Sequence, residues 1–267
     1  MISIVDTHCH LDLEAFDEDR DRVFQRAVAS GVHAMVLVGY NPERWNTTSI
    51  LCSQHGFLRR TLGIHPNDAD IWSDEMSAAL RREIEHDRPV AIGEIGLDFY
   101  RSTENAPQQR RAFVAQLEIA AEFRLPVVIH QRAAEDEVIN ILADVRPHAG
   151  VMHCFTGNQT YAERCLDLGL YLGIGGVLTF PRSTEIRDAI ATVPIDRLVL
   201  ETDAPFLAPQ IQRGKRNESS LLLAVLHGLA TLKNASEIEV AVNTTKNAVD
   251  LFGEDILHAI HAGMEYE

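Results

Sequence analysis

Two histidines, His8 and His10 in Asp6-Thr7-His8-Cys9-His10, close an apolar run, Ile2-Ser3-Ile4-Val5. Along an extended strand residues i and i+2 share a face, so both imidazoles can reach one cation while Cys9 points away. Further candidate ligands recur at or just past the ends of later apolar runs: His65, Glu94, His130, His153 and Asp203. Imidazole together with carboxylate suits zinc and first-row transition ions, and the set His8, His10, Glu94, His130, His153, Asp203 exceeds what one tetrahedral catalytic site needs. Two divalent ions are the economical reading, with Glu94 between the two histidine pairs and its two oxygens bridging ions about 3.5 to 4 Å apart.

A single strand-end histidine is ordinarily a core imidazole bonded to a backbone carbonyl. A set of them at successive strand ends has no such explanation. Glu94, inside an apolar run, is costly to bury ionised without a partner, and cations would supply one.

The elements that must bring these residues together are legible as short Val- and Ile-rich runs: Ile2-Val5, His33-Val38, Arg60-Ile64, Pro89-Ile92, Pro126-Ile129, Gly150-Met152, Tyr171-Ile174 and Arg197-Leu200. Continuous apolar runs of this length fit parallel strands buried on both faces. Between them, helical patterns cover about residues 17–30, 42–55, 73–87, 107–123, 134–145, 159–168 and 183–192, and two more follow at about 219–233 and 236–252. Eight strand–helix units predict a single-domain (β/α)8 TIM-type barrel over 1–267, with an open doubly wound sheet as the alternative. In a barrel the carboxyl ends of all strands share one rim, so ligands far apart in sequence become neighbours. A doubly wound sheet would scatter them.

Weaker candidates surround this set. Asp98 and Glu201 are placed to orient a ligand imidazole or a water. His65, in Gly63-Ile64-His65-Pro66, is placed to contact substrate phosphate. Arg132 and the cluster Arg213-Gly214-Lys215-Arg216 could clamp phosphate. Phe99, Tyr100, Phe155, Phe180 and Phe206 follow strands and could stack a base, although post-strand aromatics commonly pack against helices.

Composition sets the outer limits. The 267 residues carry a formal net charge of −15, which argues against a protein that coats long nucleic acid through broad basic surfaces. Any polyanion must be gripped locally, with bound cations offsetting charge at the site. Cys9, Cys52, Cys154 and Cys165 lack paired Cys-x-x-Cys spacing and fit reduced thiols. With no basic n-region, no secretory apolar segment and no membrane-length run, a soluble, cytoplasmic protein is expected.

Seven stretches in order resemble the TatD family of metal-dependent deoxyribonucleases: Asp6-Thr7-His8-Cys9-His10-Leu11-Asp12, Gly63-Ile64-His65-Pro66, Gly93-Glu94-Ile95-Gly96-Leu97-Asp98, Pro126-Val127-Val128-Ile129-His130, Met152-His153-Cys154-Phe155-Thr156-Gly157, Glu201-Thr202-Asp203-Ala204-Pro205 and Arg213-Gly214-Lys215-Arg216-Asn217-Glu218. The resemblance spans nearly the whole chain. It implies an amidohydrolase-like barrel in which His8, His10, Glu94 and Asp203 hold one ion and His130, His153 and Glu94 the other. It further implies DNA phosphodiester hydrolysis, commonly 3′-to-5′ on single strands, with magnesium, manganese or zinc. On ligand softness zinc or manganese is expected ahead of magnesium. The chain departs from the family pattern at Ala133, where relatives usually carry an acidic residue, and at Ser219, where proline is usual. The expected mechanism is a two-ion hydrolysis by a monomer at a single-stranded DNA end, with Asp203 taking the proton of the attacking water. Hydrolysis of a small amide, lactone or cyclic urea is the alternative.

Overall fold

A computed structural model of the chain describes residues 3–266, so Ile2 of the first expected strand lies outside the described residues. Eight strands pair in parallel in chain order: β1 (Ile4–Cys9), β2 (Val32–Gly39), β3 (Leu58–Leu62), β4 (Ala91–Asp98), β5 (Val127–Arg132), β6 (Gly150–Met152), β7 (Tyr171–Ile174) and β8 (Leu198–Leu200). Helices α1 (Arg20–Ala29), α2 (Pro42–Gln54), α3 (Asp74–His86), α4 (Ala106–Phe123), α5 (Glu135–Val145), α6 (Gln159–Asp167) and α7 (Thr184–Thr192) follow the first seven strands in turn. Three more, α8 (Leu222–Lys233), α9 (Glu237–Phe252) and α10 (Glu254–Met264), follow β8. This is the expected (β/α)8 barrel.

Local chemistry explains the boundaries. Asn41, Ser73, Asn158 and Ser236 accept backbone N–H groups of Arg44, Met76, Tyr161 and Glu239, capping α2, α3, α6 and α9. β2 is buried along its whole length, because barrel side chains face it on one side and helices on the other. Phe24, Phe57 and Phe113 fill the layer between strands and helices.

Two features aim the site. The β1–β2 register shifts between Asp6 and Cys9, and the β4–β5 register shifts between Ile92 and Ile95. Each shift sets an extra residue against the partner strand, and such bulges re-aim side chains; here they fall on His8 and Glu94. The seam between β8 and β1 is closed by Thr7 Oγ1 donating to Leu200 O (3.0 Å), Asp203 N to His8 O (2.9 Å) and His10 N to Ala204 O (2.7 Å). Strands β1 and β8, whose Thr7 and Leu200 lie 193 residues apart, are therefore stitched together beside the histidine pair.

The strands differ from expectation at their ends. β1, β4 and β5 continue through the polar residues that were expected to lie past them, so His8, Glu94 and His130 lie within strands. The last helix, α10, follows Gly253 (φ 86°) and was not expected. Among the described residues no helix is long and apolar enough to cross a membrane.

Candidate metal centre

Six side chains converge where β1, β4, β5, β6 and β8 reach the rim. Glu94, buried, stands at the centre with its oxygens facing different partners. Its Oε2 lies 3.4 Å from His8 Nε2, and its Oε1 lies 2.6 Å from His130 Nδ1 and 3.7 Å from His153 Nε2. Asp203 Oδ1 lies 3.2 Å from His10 Nε2, 3.7 Å from His8 Nε2 and 4.0 Å from His153 Nε2. Asp203 adopts φ 57°, a left-handed conformation that Asp tolerates. The turn it makes just past β8 sends its carboxylate back over the histidines.

Outer carboxylates orient the rings. Glu201 Oε1 accepts the Cys154 N–H (2.6 Å) and lies 3.0 Å from His153 Nδ1. Asp98 Oδ2 lies 3.3 Å from His130 Nε2, while its other oxygen accepts the Tyr100 N–H at 3.1 Å. Carboxylate–imidazole pairs of this kind fix the tautomer and orientation of a metal-binding histidine. Asp6 anchors the seam: it accepts from Thr202 N (3.0 Å), Thr202 Oγ1 (2.6 Å) and Ser219 Oγ (2.6 Å), and burial pushes its carboxyl up to about 6 against those bonds.

Carboxylates and imidazoles shift one another's protonation here. For Glu94 and Asp203 burial raises the carboxyl, but the surrounding imidazoles outweigh it and both are lowered. Burial opposes charge on His130 and His153 as well. The carboxylates of Asp98 and Glu94 raise His130 to about 9, and those of Glu201 and Glu94 raise His153 to about 10. Both nitrogens of His8 and Nδ1 of His10 are buried without a hydrogen-bond partner. Lone pairs left unspent inside a ring of carboxylates, on imidazoles drawn together (the His8 and His153 rings stack at 3.5 Å), fit a divalent cation. Ligand atoms of His8, His10 and Glu94 lie within 4.8 Å of one another, as do those of His65, Glu94 and His130.

A family model described as TatD related DNase matches residues 5–253. The chain belongs to the TatD family of DNases. The 3′-5′ ssDNA/RNA exonuclease TatD of Erwinia tasmaniensis is 41% identical over 255 residues, covering 92% of this chain and 98% of that protein. An uncharacterized metal-dependent hydrolase, YabD of Bacillus subtilis, is 37% identical over 251 residues, covering 93% and 98%. The crystal structure of YJJV, a TatD homolog from Escherichia coli K12, superposes with a TM-score of 0.89 at 32% identity, covering 93% of this chain and 97% of that one. Membership makes the chain a metal-dependent hydrolase.

In this TatD-family chain the outlying candidates divide into two groups. His65 stands at the site, 3.6 Å from Glu94 Oε1, and its Nδ1 accepts the Asn67 N–H at 3.0 Å. Burial lowers its pKa to about 4, so the ring is neutral, its proton sits on Nε2, and that nitrogen faces the cavity as a donor. Arg132 also reaches the site's edge, with its guanidinium 3.7 Å over the Tyr100 ring. The basic cluster does not reach it: Arg216 pairs with Asp19 at 2.7 Å and donates to Ala15 O, Arg213 lies over Phe180, and Lys215 is exposed beside them. Tyr40, Asn67 and Asp68 line the site and were not singled out from sequence. Each carried a positional signal: Asn67 and Asp68 lie two and three residues past His65, and Tyr40 follows the second expected strand.

Proposed function

We propose that the chain is a 3′-to-5′ exonuclease acting at single-stranded DNA ends, with two divalent cations, zinc or manganese ahead of magnesium, held at the rim. One observation carries the proposal: Glu94 turns one oxygen toward His8 and the other toward His130, as a carboxylate shared between two cations would. His8, His10, Glu94 and Asp203 would hold the first cation, and His130, His153 and Glu94 the second. When bound, such cations supply Lewis acidity that acidifies water and neutralises phosphoryl oxygens.

The chain's own residues supply the rest. Asp203 borders both cavities that open onto the site and is positioned to accept the proton of the attacking water. His65 Nε2–H is a neutral donor for a non-bridging phosphoryl oxygen, and Arg132 meets the strand at the mouth. Glu201 and Asp98 hold the His153 and His130 rings in place. The test is turnover of a 5′-labelled single-stranded oligonucleotide by protein reconstituted with manganese or zinc. Wild type is expected to shorten it stepwise from the 3′ end, and Glu94→Ala is expected to lose that activity with its circular dichroism intact. A Glu94→Ala variant that cleaves at the wild-type rate refutes the proposal.

A further inference from the structure

Two cavities of about 320 and 340 Å³ open onto the site, and they share His130, His153, Asp203 and Phe206. The Phe206 ring, 53% exposed, stands at the boundary with its centroid 5.9 Å from that of His10. A phosphodiester undergoing hydrolysis must sit where the two cavities meet, so one flank of the substrate enters each.

The flanks differ in charge. Outside the candidate ligands, the charged side chain on the first cavity's wall is Asp68, and on the second it is Arg132. Arg132 rests on the exposed Tyr100 ring, and beside it the buried Oε1 of Gln131 has no hydrogen-bond partner. A continuing strand brings a phosphate at every step and belongs with Arg132. The first cavity is walled by Tyr40, Asn67 and Asp68, and its volume is near the lower end for ligand sites. Asp68 is held in place by Asn41 Nδ2 at 3.2 Å, whose own Oδ1 caps α2. It accepts a hydroxyl readily and meets a phosphate monoester, of charge about −1.5 to −2, as a like charge.

Resting on the nuclease reading above, we propose that Asp68 is the end-specificity residue: the Tyr40–Asn67–Asp68 cavity takes the terminal nucleoside with its free 3′-hydroxyl and rejects a 3′-phosphate, while the upstream strand leaves past Arg132. In the step this arrangement serves, water forms the new P–O bond and the bond from phosphorus to the upstream O3′ breaks. One proton of the water goes to Asp203 and is passed on to the upstream O3′, while the other stays with the new phosphate oxygen. The products are a nucleoside 5′-monophosphate and a strand one residue shorter with a new 3′-hydroxyl.

The experiment compares kcat/KM of the manganese-loaded protein on two 5′-fluorescent single strands identical except for a 3′-hydroxyl or a 3′-phosphate. Wild type is expected to favour the hydroxyl end by about tenfold or more, as like charges a few Å apart demand. Asp68→Asn, and Asp68→Ser as a second neutral variant, are expected to bring the ratio below about threefold, whereas Asp68→Glu keeps the preference. A wild-type ratio near one, a preference for the phosphate end, or a folded neutral variant with the wild-type ratio overturns the assignment while leaving the nuclease reading intact. Failure to shorten either strand overturns both.

Discussion

If His153 is a metal ligand as proposed, Glu201→Gln separates holding its ring from taking part in the chemistry. Glu201 Oε1 lies 3.0 Å from His153 Nδ1 and accepts the Cys154 N–H. Against a fully charged ring, one unit charge at that distance corresponds to a ceiling of about 5 kcal/mol at an effective dielectric of 20. A metal-binding ring is neutral, and glutamine sets a neutral oxygen in place of a charged one beside it, so the loss is the difference between a charged and a neutral acceptor, about 1–2 kcal/mol. That overlaps the 10- to 100-fold weakening typical when such an outer carboxylate is lost. Glutamine still accepts from Cys154, so the backbone is kept. The assay is calorimetric titration of zinc into chelator-treated protein at neutral pH, with oligonucleotide turnover at saturating zinc as the second readout. Affinity is expected to fall about 10- to 100-fold while turnover at saturation falls much less. Gly173→Ala supplies a steric twin: a Cβ there would lie 2.3 Å from Glu201 Oε2, so the carboxylate must shift and the same weakening is expected. Wild-type zinc affinity in both variants would refute the orienting role.

Two further outcomes follow from the same geometry. His130 and His153, raised to about 9 and about 10, bind protons more tightly in the folded chain, so their stabilisation is complete below about pH 6.5 and is lost as pH rises through those values. Glu94 is lowered, so its contribution is present above about pH 4.5 and is lost on acidification. Chelated protein is therefore expected to melt highest between about pH 5 and 6.5 and lower near pH 10, and zinc to flatten the alkaline limb because it needs both imidazoles deprotonated. A metal-free melting temperature that climbs from about pH 6.5 to 9 contradicts this assignment. Ser219→Ala removes a 2.6 Å bond to the buried Asp6 carboxylate and is expected to cost roughly 2 kcal/mol in urea unfolding. A change below about 0.5 kcal/mol would show that Thr202 alone satisfies Asp6.

Much of this architecture was legible because barrel strands are buried on both faces, and each of the eight runs of Val, Ile and Leu marks a strand in the structure. Strand ends were less legible for a physical reason. The first unbroken apolar runs end at Val5, Ile92 and Ile129, but the ladder does not, because a strand entering the site exchanges apolar partners for carboxylates and imidazoles. The bulges that aim His8 and Glu94 inward leave no compositional trace. The helix α10 hid behind Gly253, which reads as an end and serves as a junction. Asp6 could have been found: an acid one alternation step from His8 within a buried strand demands donors, and Ser219, a departure from the family pattern, is one of them. The pairing of Arg216 was not legible either, since a basic cluster in sequence gave no hint that Asp19 would face it.

Anomalous scattering from crystals of the protein grown with zinc addresses the central claim most directly. The account predicts two peaks, one on each side of Glu94, with the first about 2.0–2.2 Å from His8 Nε2 and Asp203 and the second equally close to His130 and His153. A single peak that leaves one histidine pair unliganded, or peaks only at surface histidines, would contradict it.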